Sequence, residues 1–295
     1  MLDIALSLMF YLSYLAFPIL ILLVYLAYKK RRSFYWVLAF FILLFIYTRF
    51  VEPNIIRIDR EKIDLGGGGN GLKVIVAADL HMGVFSSRRD LKRIVDKINK
   101  LDGDLVVIPG DLVFRLPVEK FSVFSELKNI RLPLALVLGN HDCGQPVGVD
   151  VSSELTTSLA DSGIVVLDNK VKDFEFRGKQ VRLVGLSDYY NDDANFMLLR
   201  KNNPEQFLLS LTHNPDLAYQ YPTNSQADIT ISGHTHGGQI RLPWVYKLVI
   251  PSDYFFDAGL YQVGNYPVFV SSGLGVVGLP MRFFRFPEIN VLELN

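Results

Sequence analysis

Apolar positions are spread unevenly along the 295 residues. Ile4 to Tyr28 is a run of 25 residues without a charge, Ser33 to Thr48 is another of 16, and Lys29-Lys30-Arg31-Arg32 separates them. At 1.5 Å per helical residue the first run spans about 37 Å, enough to cross a hydrocarbon core of about 30 Å with tilt. The second reaches about 24 Å on the same rise, and it crosses if Phe50 and Val51 join it while Arg49 snorkels. The pattern therefore predicts a membrane anchor over residues 1–52, with helices over about 4–28 and 33–51. Pro18 is expected to kink the first helix, which lipid-embedded helices tolerate. A cleaved secretory signal is the competing interpretation. It fits poorly, because no basic region precedes the run and the run exceeds a signal core of roughly 7–15 residues.

Ile55 to Leu65 alternates apolar and charged residues in part and ends in Gly66-Gly67-Gly68-Gly69-Asn70-Gly71. Residues 53–71 are thus expected to form a linker or first strand with a glycine-rich turn. Beyond it, over 72–295, the period switches repeatedly between strand-like and helix-like. Strands are expected at 73–78, 104–109, 132–138, 164–167, 171–176, 181–186, 207–211, 229–231 and 268–270. Leu91, Ile94, Val95, Ile98 and Leu101 recur at helical spacing, with Arg88, Arg89, Lys92, Arg93, Lys97 and Lys100 on a solvated face. Alternating strands and helices argue for an α/β domain.

Composition narrows the function. The mean hydropathy is +0.25, and 30 basic residues balance 30 acidic ones, so nucleic-acid binding is not indicated. A single cysteine, Cys143, excludes a disulfide framework. The basic excess lies in the anchor and the domain is slightly acidic. If Lys29–Arg32 face the cytoplasm, the chain is a multi-pass protein of the cell (inner, cytoplasmic) membrane with its large domain on the extracytoplasmic side. Arg49, Arg57, Arg60 and Lys62 pull the other way.

The ends of the expected strands carry the candidate chemistry. All five histidines in the chain, at 81, 141, 213, 234 and 236, fall at such ends beside turn-forming or acidic residues. Asp79-Leu80-His81 puts a carboxylate and an imidazole on one side of an extended backbone, and His234-Thr235-His236 repeats that spacing. Asp111, Asn140, His141 and His213 lie between them. Open α/β sheets gather ligands at the carboxyl ends of their strands. Oxygen donors mixed with imidazoles suit Mn, Fe or Zn better than Ca.

Asp79-x-His81, Gly110-Asp111, Gly139-Asn140-His141-Asp142, His213 and Gly233-His234-Thr235-His236 resemble, in order and spacing, the five blocks of the calcineurin-like metallophosphoesterases. The likeness covers roughly residues 72–290. Gly237-Gly238-Gln239, Gly273-Leu274-Gly275 and Pro280-x-Arg282 look like its membrane-associated or exported bacterial branch, typified by YkuE and YaeI. The resemblance implies a fold of two mixed β-sheets packed face to face and flanked by helices. It also implies two divalent metal ions (Mn, Fe or Zn), one held by Asp79, His81, Asp111 and His236. The other would take Asp111, Asn140, His213 and His234, with Asp111 bridging. A metal-bridging hydroxide would attack phosphorus and His141 would protonate the leaving group.

One departure is visible. Protein-phosphatase relatives have an aspartate that orients the general-acid histidine where this chain has Phe114, so a protein phosphatase is disfavoured against a phosphodiesterase. Asp142 is the remaining candidate to orient His141, and Arg115 is a candidate phosphate contact. Leu242 to Phe286 is rich in aromatic residues interspersed with Arg241, Arg282 and Arg285. It is expected to be β core and packed tail, with a lipid-phosphate rim as the alternative. Expected partners are membrane lipid and a phosphoester, a phosphodiester or pyrophosphate linked to lipid or an envelope precursor. Hydrolysis of a UDP-diacylglucosamine pyrophosphate is one such activity within the wider family. The competing function is a catalytically weak, membrane-anchored binding or scaffold protein that retains the fold.

Overall fold

The computed structural model describes residues 2–66 and 68–295, so Met1 and Gly67 of the glycine run lie outside the described residues. Helix α1 (Leu2–Leu12) passes through a 3-10 turn at Ser13–Leu15 into α2 (Ala16–Lys30). The turn sits one helical turn before Pro18, whose missing N–H leaves the carbonyl of Tyr14 without its helical donor. Arg31 closes α2 in the left-handed conformation, and α3 (Ser33–Ile46) continues through a π-helical turn at Tyr47–Val51. The short link Arg31-Arg32 makes α2 and α3 neighbours in a hairpin. Ile4–Lys30 and Ser33–Asn54 are each long and apolar enough to cross a membrane.

Arg49 does not snorkel. It turns into the protein, where its guanidinium lies 4.4 Å from the centre of the Phe10 ring and 4.6 Å from that of Phe50, and its Nε donates to Ser13 Oγ at 3.2 Å. Charge buried in an apolar anchor is tolerated only with such partners.

The chain then runs through β1 (Arg57–Ile63), β2 (Leu72–Val76), the short β3 (Met82–Gly83), α4 (Arg88–Ile98), β4 (Leu105–Pro109), the short β5 (Val113–Phe114) and β6 (Leu134–Val137). After α5 (Ser152–Asp161) come β7 (Lys170–Phe176), β8 (Lys179–Gly185), β9 (Phe207–Leu211), β10 (Ile229–Ser232), β11 (Gly259–Val263), β12 (Tyr266–Val270) and β13 (Glu288–Leu294). One mixed sheet has the order β1-β13-β2-β4-β6, the other β11-β12-β10-β9-β8-β7, and β3 pairs with β5. The sheets pack face to face through Val74, Val76, Val107 and Val137 on one side and Leu183, Leu209, Ile231 and Phe269 on the other, all fully or almost fully buried. The outer face of the first sheet is covered by α4, whose Leu91, Ile94, Val95 and Ile98 join the same core as Ile75, Val106 and Leu136. Ser87 starts α4, its N–H donating to Asp90 Oδ2 at 2.9 Å.

Two expectations change. Residues 164–167 form no strand; a single bridge links Val166 to Leu136, because the Ile164 segment only skirts the edge at β6. The aromatic stretch divides: Phe256 and Arg282 are buried, whereas Trp244, Leu248, Phe255 and Phe284 are exposed.

Candidate metal centre

β2, β4, β6, β9 and β10 end at one edge of the double sheet, and each is followed within a few residues by a candidate donor: Asp79, Asp111, Asn140, His213 and His234. The loops are cross-tied by backbone bonds. Asp79 N–H donates to Gly110 O at 3.2 Å, His81 N–H to Asp111 O at 3.0 Å, and Gly233 N–H to His213 O at 3.0 Å. Asp79, His81, Asp111, His234 and His236 all have positive φ, between 43° and 74°. L-residues rarely adopt that conformation and it costs about 1–3 kcal/mol each, so the surrounding packing must impose it.

Asp111 is central. Its Oδ2 lies 3.4 Å from His81 Nε2 and 3.3 Å from His213 Nε2, while Oδ1 accepts the N–H of His141 at 2.9 Å. On one side His81 Nε2 and His236 Nε2 approach to 2.9 Å. On the other, Asn140 Oδ1 lies 3.0 Å from both His213 Nε2 and His234 Nδ1. Asn140 Nδ2 donates to Gln145 O at 2.8 Å, which turns the amide oxygen toward the imidazoles. His213 Nδ1 sits 2.9 Å from Pro109 O, a contact that keeps a proton on Nδ1 and turns Nε2 inward toward Asp111. Asp79 Oδ1 accepts His234 N–H at 2.9 Å, and its buried Oδ2 has no partner among the described residues.

This donor set fits two cations. Asp79, His81, Asp111 and His236 form one cluster and Asp111, His213 and His234 a second, with ligand atoms in each within 4.8 Å of one another. Inward lone pairs that face one another, together with an orphaned buried carboxylate oxygen, are unfavourable in a dry site unless positive charge lies between them.

Protonation follows the same logic. Burial pushes Asp79 up to about 7 and pushes His81 and His234 down to about 3. His236 is held well below the ordinary value by burial and by its neighbours His81 and Arg282. For Asp111, burial is outweighed by the imidazoles of His213, His141 and His81, which hold it well below the usual carboxylate range. The same partnership lifts His213 well above an ordinary imidazole despite burial. His81, His234 and His236 are thereby neutral, the form that binds metal, whereas the extra proton of His213 is one that a cation beside Asp111 would displace.

His141 lies beside this cluster with its ring edge-on to His81 and Phe114, at centroid distances of 5.2 and 5.4 Å. Burial pushes its pKa down. Asp142 does not orient that ring: Oδ1 accepts the N–H of Val113, and Oδ2 those of Leu112 and Gly139. Its carboxylate braces the Asp111 loop against the Asn140 loop. Arg115 and His141 both line a cleft of about 370 Å³ closed by Val147, Gly148 and Val149.

Two residues escaped the sequence reasoning. Asp188, three residues beyond β8, is buried, its Oδ2 without a partner among the described residues, and burial raises its pKa. Its position at a strand end was the available signal. In the sequence Arg282 stands out only through Pro280-x-Arg282 and its aromatic surroundings. It is fully buried, its Nη2 donating to the carbonyls of Ser272 at 3.0 Å and Gly275 at 2.6 Å and lying 3.4 Å from His236 Nδ1.

Comparison with known proteins agrees with this architecture. Residues 72–238 match the family model of the calcineurin-like phosphoesterases. The metallophosphoesterase YkuE of Bacillus subtilis is 31% identical over 263 residues, covering 84% of this chain and 89% of the relative. The phosphodiesterase YaeI of Escherichia coli is 29% identical, covering 85% and 92%. The UDP-2,3-diacylglucosamine pyrophosphatase LpxG of Chlamydia muridarum is 26% identical, covering 85% and 93%. The family-model match, the ordered strand-end donors and this degree of identity have one explanation: the chain belongs to the calcineurin-like phosphoesterases and is a hydrolase of phosphoric ester bonds.

Proposed function

We propose that the protein is a membrane-anchored phosphoester hydrolase with a dinuclear centre, acting on a phosphodiester or pyrophosphate linked to lipid or to an envelope precursor. The observation that carries the proposal is the pair of donor clusters sharing Asp111. Asp79, His81 and His236 would complete one site, and Asn140, His213 and His234 the other. Two divalent ions held there would supply activation of water and neutralisation of charge on the phosphoryl oxygens.

The chain's own residues do the rest. Asp111 holds the halves in register, and its Oδ1 fixes the backbone of His141. His141 carries the proton delivered to the leaving oxygen as the P–O bond to it breaks and a water oxygen bonds to phosphorus. An anionic ester beside His141 raises its pKa, opposing the effect of burial. Arg115, lining the same cleft, would bind the ester's charge. Phe114 at the position of the protein-phosphatase aspartate supports a diester over a phosphoprotein. The substrate's lipid or envelope character is supported by the two candidate spans and by the name of the LpxG relative.

Full-length protein reconstituted with Mn in detergent, assayed on a chromogenic diester, a monoester and an ester with an alcohol leaving group, tests the proposal. Asp111→Asn should lower turnover at least about 10²-fold, and His141→Ala by as much on the alcohol ester. Undiminished turnover in both variants would contradict it. Wild-type protein that binds metal but hydrolyses nothing would favour the scaffold alternative.

A further inference from the structure

The ring of His141 accepts no hydrogen bond from a side chain among the described residues; aromatic edges hold it instead. Phe114 meets it at 5.4 Å with an interplanar angle of 82°, and meets the His81 ring at 5.8 Å and 89°. Phe114 is itself stacked on Phe85, with centroids 5.6 Å apart and planes at 29°. Phe85 is stacked in turn on Phe10 of α1, at 5.8 Å and 20°. Four rings therefore run without a gap from the first membrane helix to the catalytic imidazole.

The backbone explains why the chain of rings is rigid. β3 pairs in parallel with β5, with Met82 opposite Val113 and Gly83 opposite Phe114, and Val84 N–H donates to Phe114 O at 3.4 Å. Phe85 is thereby locked beside Phe114. At the far end, the Arg49 guanidinium covers the Phe10 ring at 4.4 Å and ties α1 to α3 through Ser13. Aromatic pairs of this kind contribute beyond the area they bury and prefer fixed offsets.

We infer that α1 is a working part of the catalytic centre: Phe10, Phe85 and Phe114 are positioning residues that set the orientation of the His141 imidazole. The inference rests on the reading of His141 as the proton donor. In this chain the aromatic series would do by packing what an aspartate does elsewhere by hydrogen bonding, and it would make proton delivery depend on an intact anchor. Misplacing a reacting group by about 1 Å can cost as much as 10²-fold in rate, which is the leverage such packing has.

The test uses full-length protein in detergent, saturated with Mn, and two diesters that differ only in the leaving group, nitrophenol or a simple alcohol. Proton donation matters little for the first and greatly for the second. Phe85→Ala should lower kcat on the alcohol ester about tenfold, with a much smaller loss on the nitrophenyl ester and KM nearly constant. Phe85→Tyr should restore it, and Phe85→Ala in a His141→Ala background should cost nothing more. Phe10→Ala, which lies outside both sheets, should reproduce the same leaving-group pattern and covers the case in which Phe85→Ala fails to fold. Equal losses on both esters, or a Phe85→Ala effect that adds in full to that of His141→Ala, would overturn the inference alone. A His141→Ala variant indifferent to the leaving group would instead overturn the proton-donor reading, and the inference with it.

Discussion

Asp142 braces the loop that carries Asp111 against the loop that carries Asn140. Its carboxylate is fully buried and accepts three backbone N–H groups, from Leu112, Val113 and Gly139. Asp142→Ala would strand those donors at about 1–3 kcal/mol each, so thermal unfolding of the variant should occur well below that of the wild type. Gly110, with φ +82°, is equally constrained: a Cβ there would stand 2.6 Å from His213 Nδ1. Asp168 provides a pH signature away from the donors. Its Oδ1 accepts Leu138 N–H at 2.8 Å, and burial raises its pKa from 3.8 to about 6. A raised carboxyl pKa means the folded state holds the proton more tightly than the unfolded one. Its contribution is therefore favourable at low pH and is lost as pH rises through about 6. Asp168→Asn keeps the acceptor and removes the charge. Melting curves should show it stabilised relative to wild type at pH 8 and not at pH 4, and equal shifts at both would refute this reading.

At the level of elements, legibility followed locality. The candidate donors stand out in the sequence because each sits where a short apolar strand stops at a turn, a pattern contained in fewer than ten residues. Strands β2, β4, β6 and β9 were readable for the same reason. β13 was not, although Glu288 to Leu294 is almost wholly buried and central to its sheet, because it lies between β1 and β2 from the other end of the chain. Nothing near Glu288 announces that closure. Arg282 was opaque in the same way: its acceptors exist only once the 272–275 turn, the 285–286 segment and the end of α3 converge, the last through Arg282 N–H to Thr48 O at 2.9 Å. Arg282→Leu leaves several buried carbonyls unpaired and removes the cation beside His236. The expected outcome is a clear drop in melting temperature together with weaker metal retention in dialysis.

For the whole molecule, the hairpin and the catalytic domain act as one body. Glu52, with no exposed surface, accepts Arg285 N–H at 2.6 Å, and Phe10 stacks on Phe85, so both ends of the anchor grip the face that carries the centre. If both candidate spans cross a bilayer, the N-terminus and the domain lie on one side of it and Lys29–Arg32 on the other. With the basic loop cytoplasmic, protease added outside intact spheroplasts should digest the domain, and protection of the domain would reverse the orientation. Metal should also stabilise the whole chain by mass action, by about 2.7 kcal/mol at a hundredfold excess over Kd, with the shift in melting temperature abolished by chelator.

Two ions sharing Asp111 would show plainly in a metal count. Full-length protein stripped with chelator and dialysed against Mn should bind two ions per chain by elemental analysis, and Asp111→Asn should bind one or none. A wild-type count of one, or a count unaffected by Asp111→Asn, would rule out a centre of two ions bridged by Asp111.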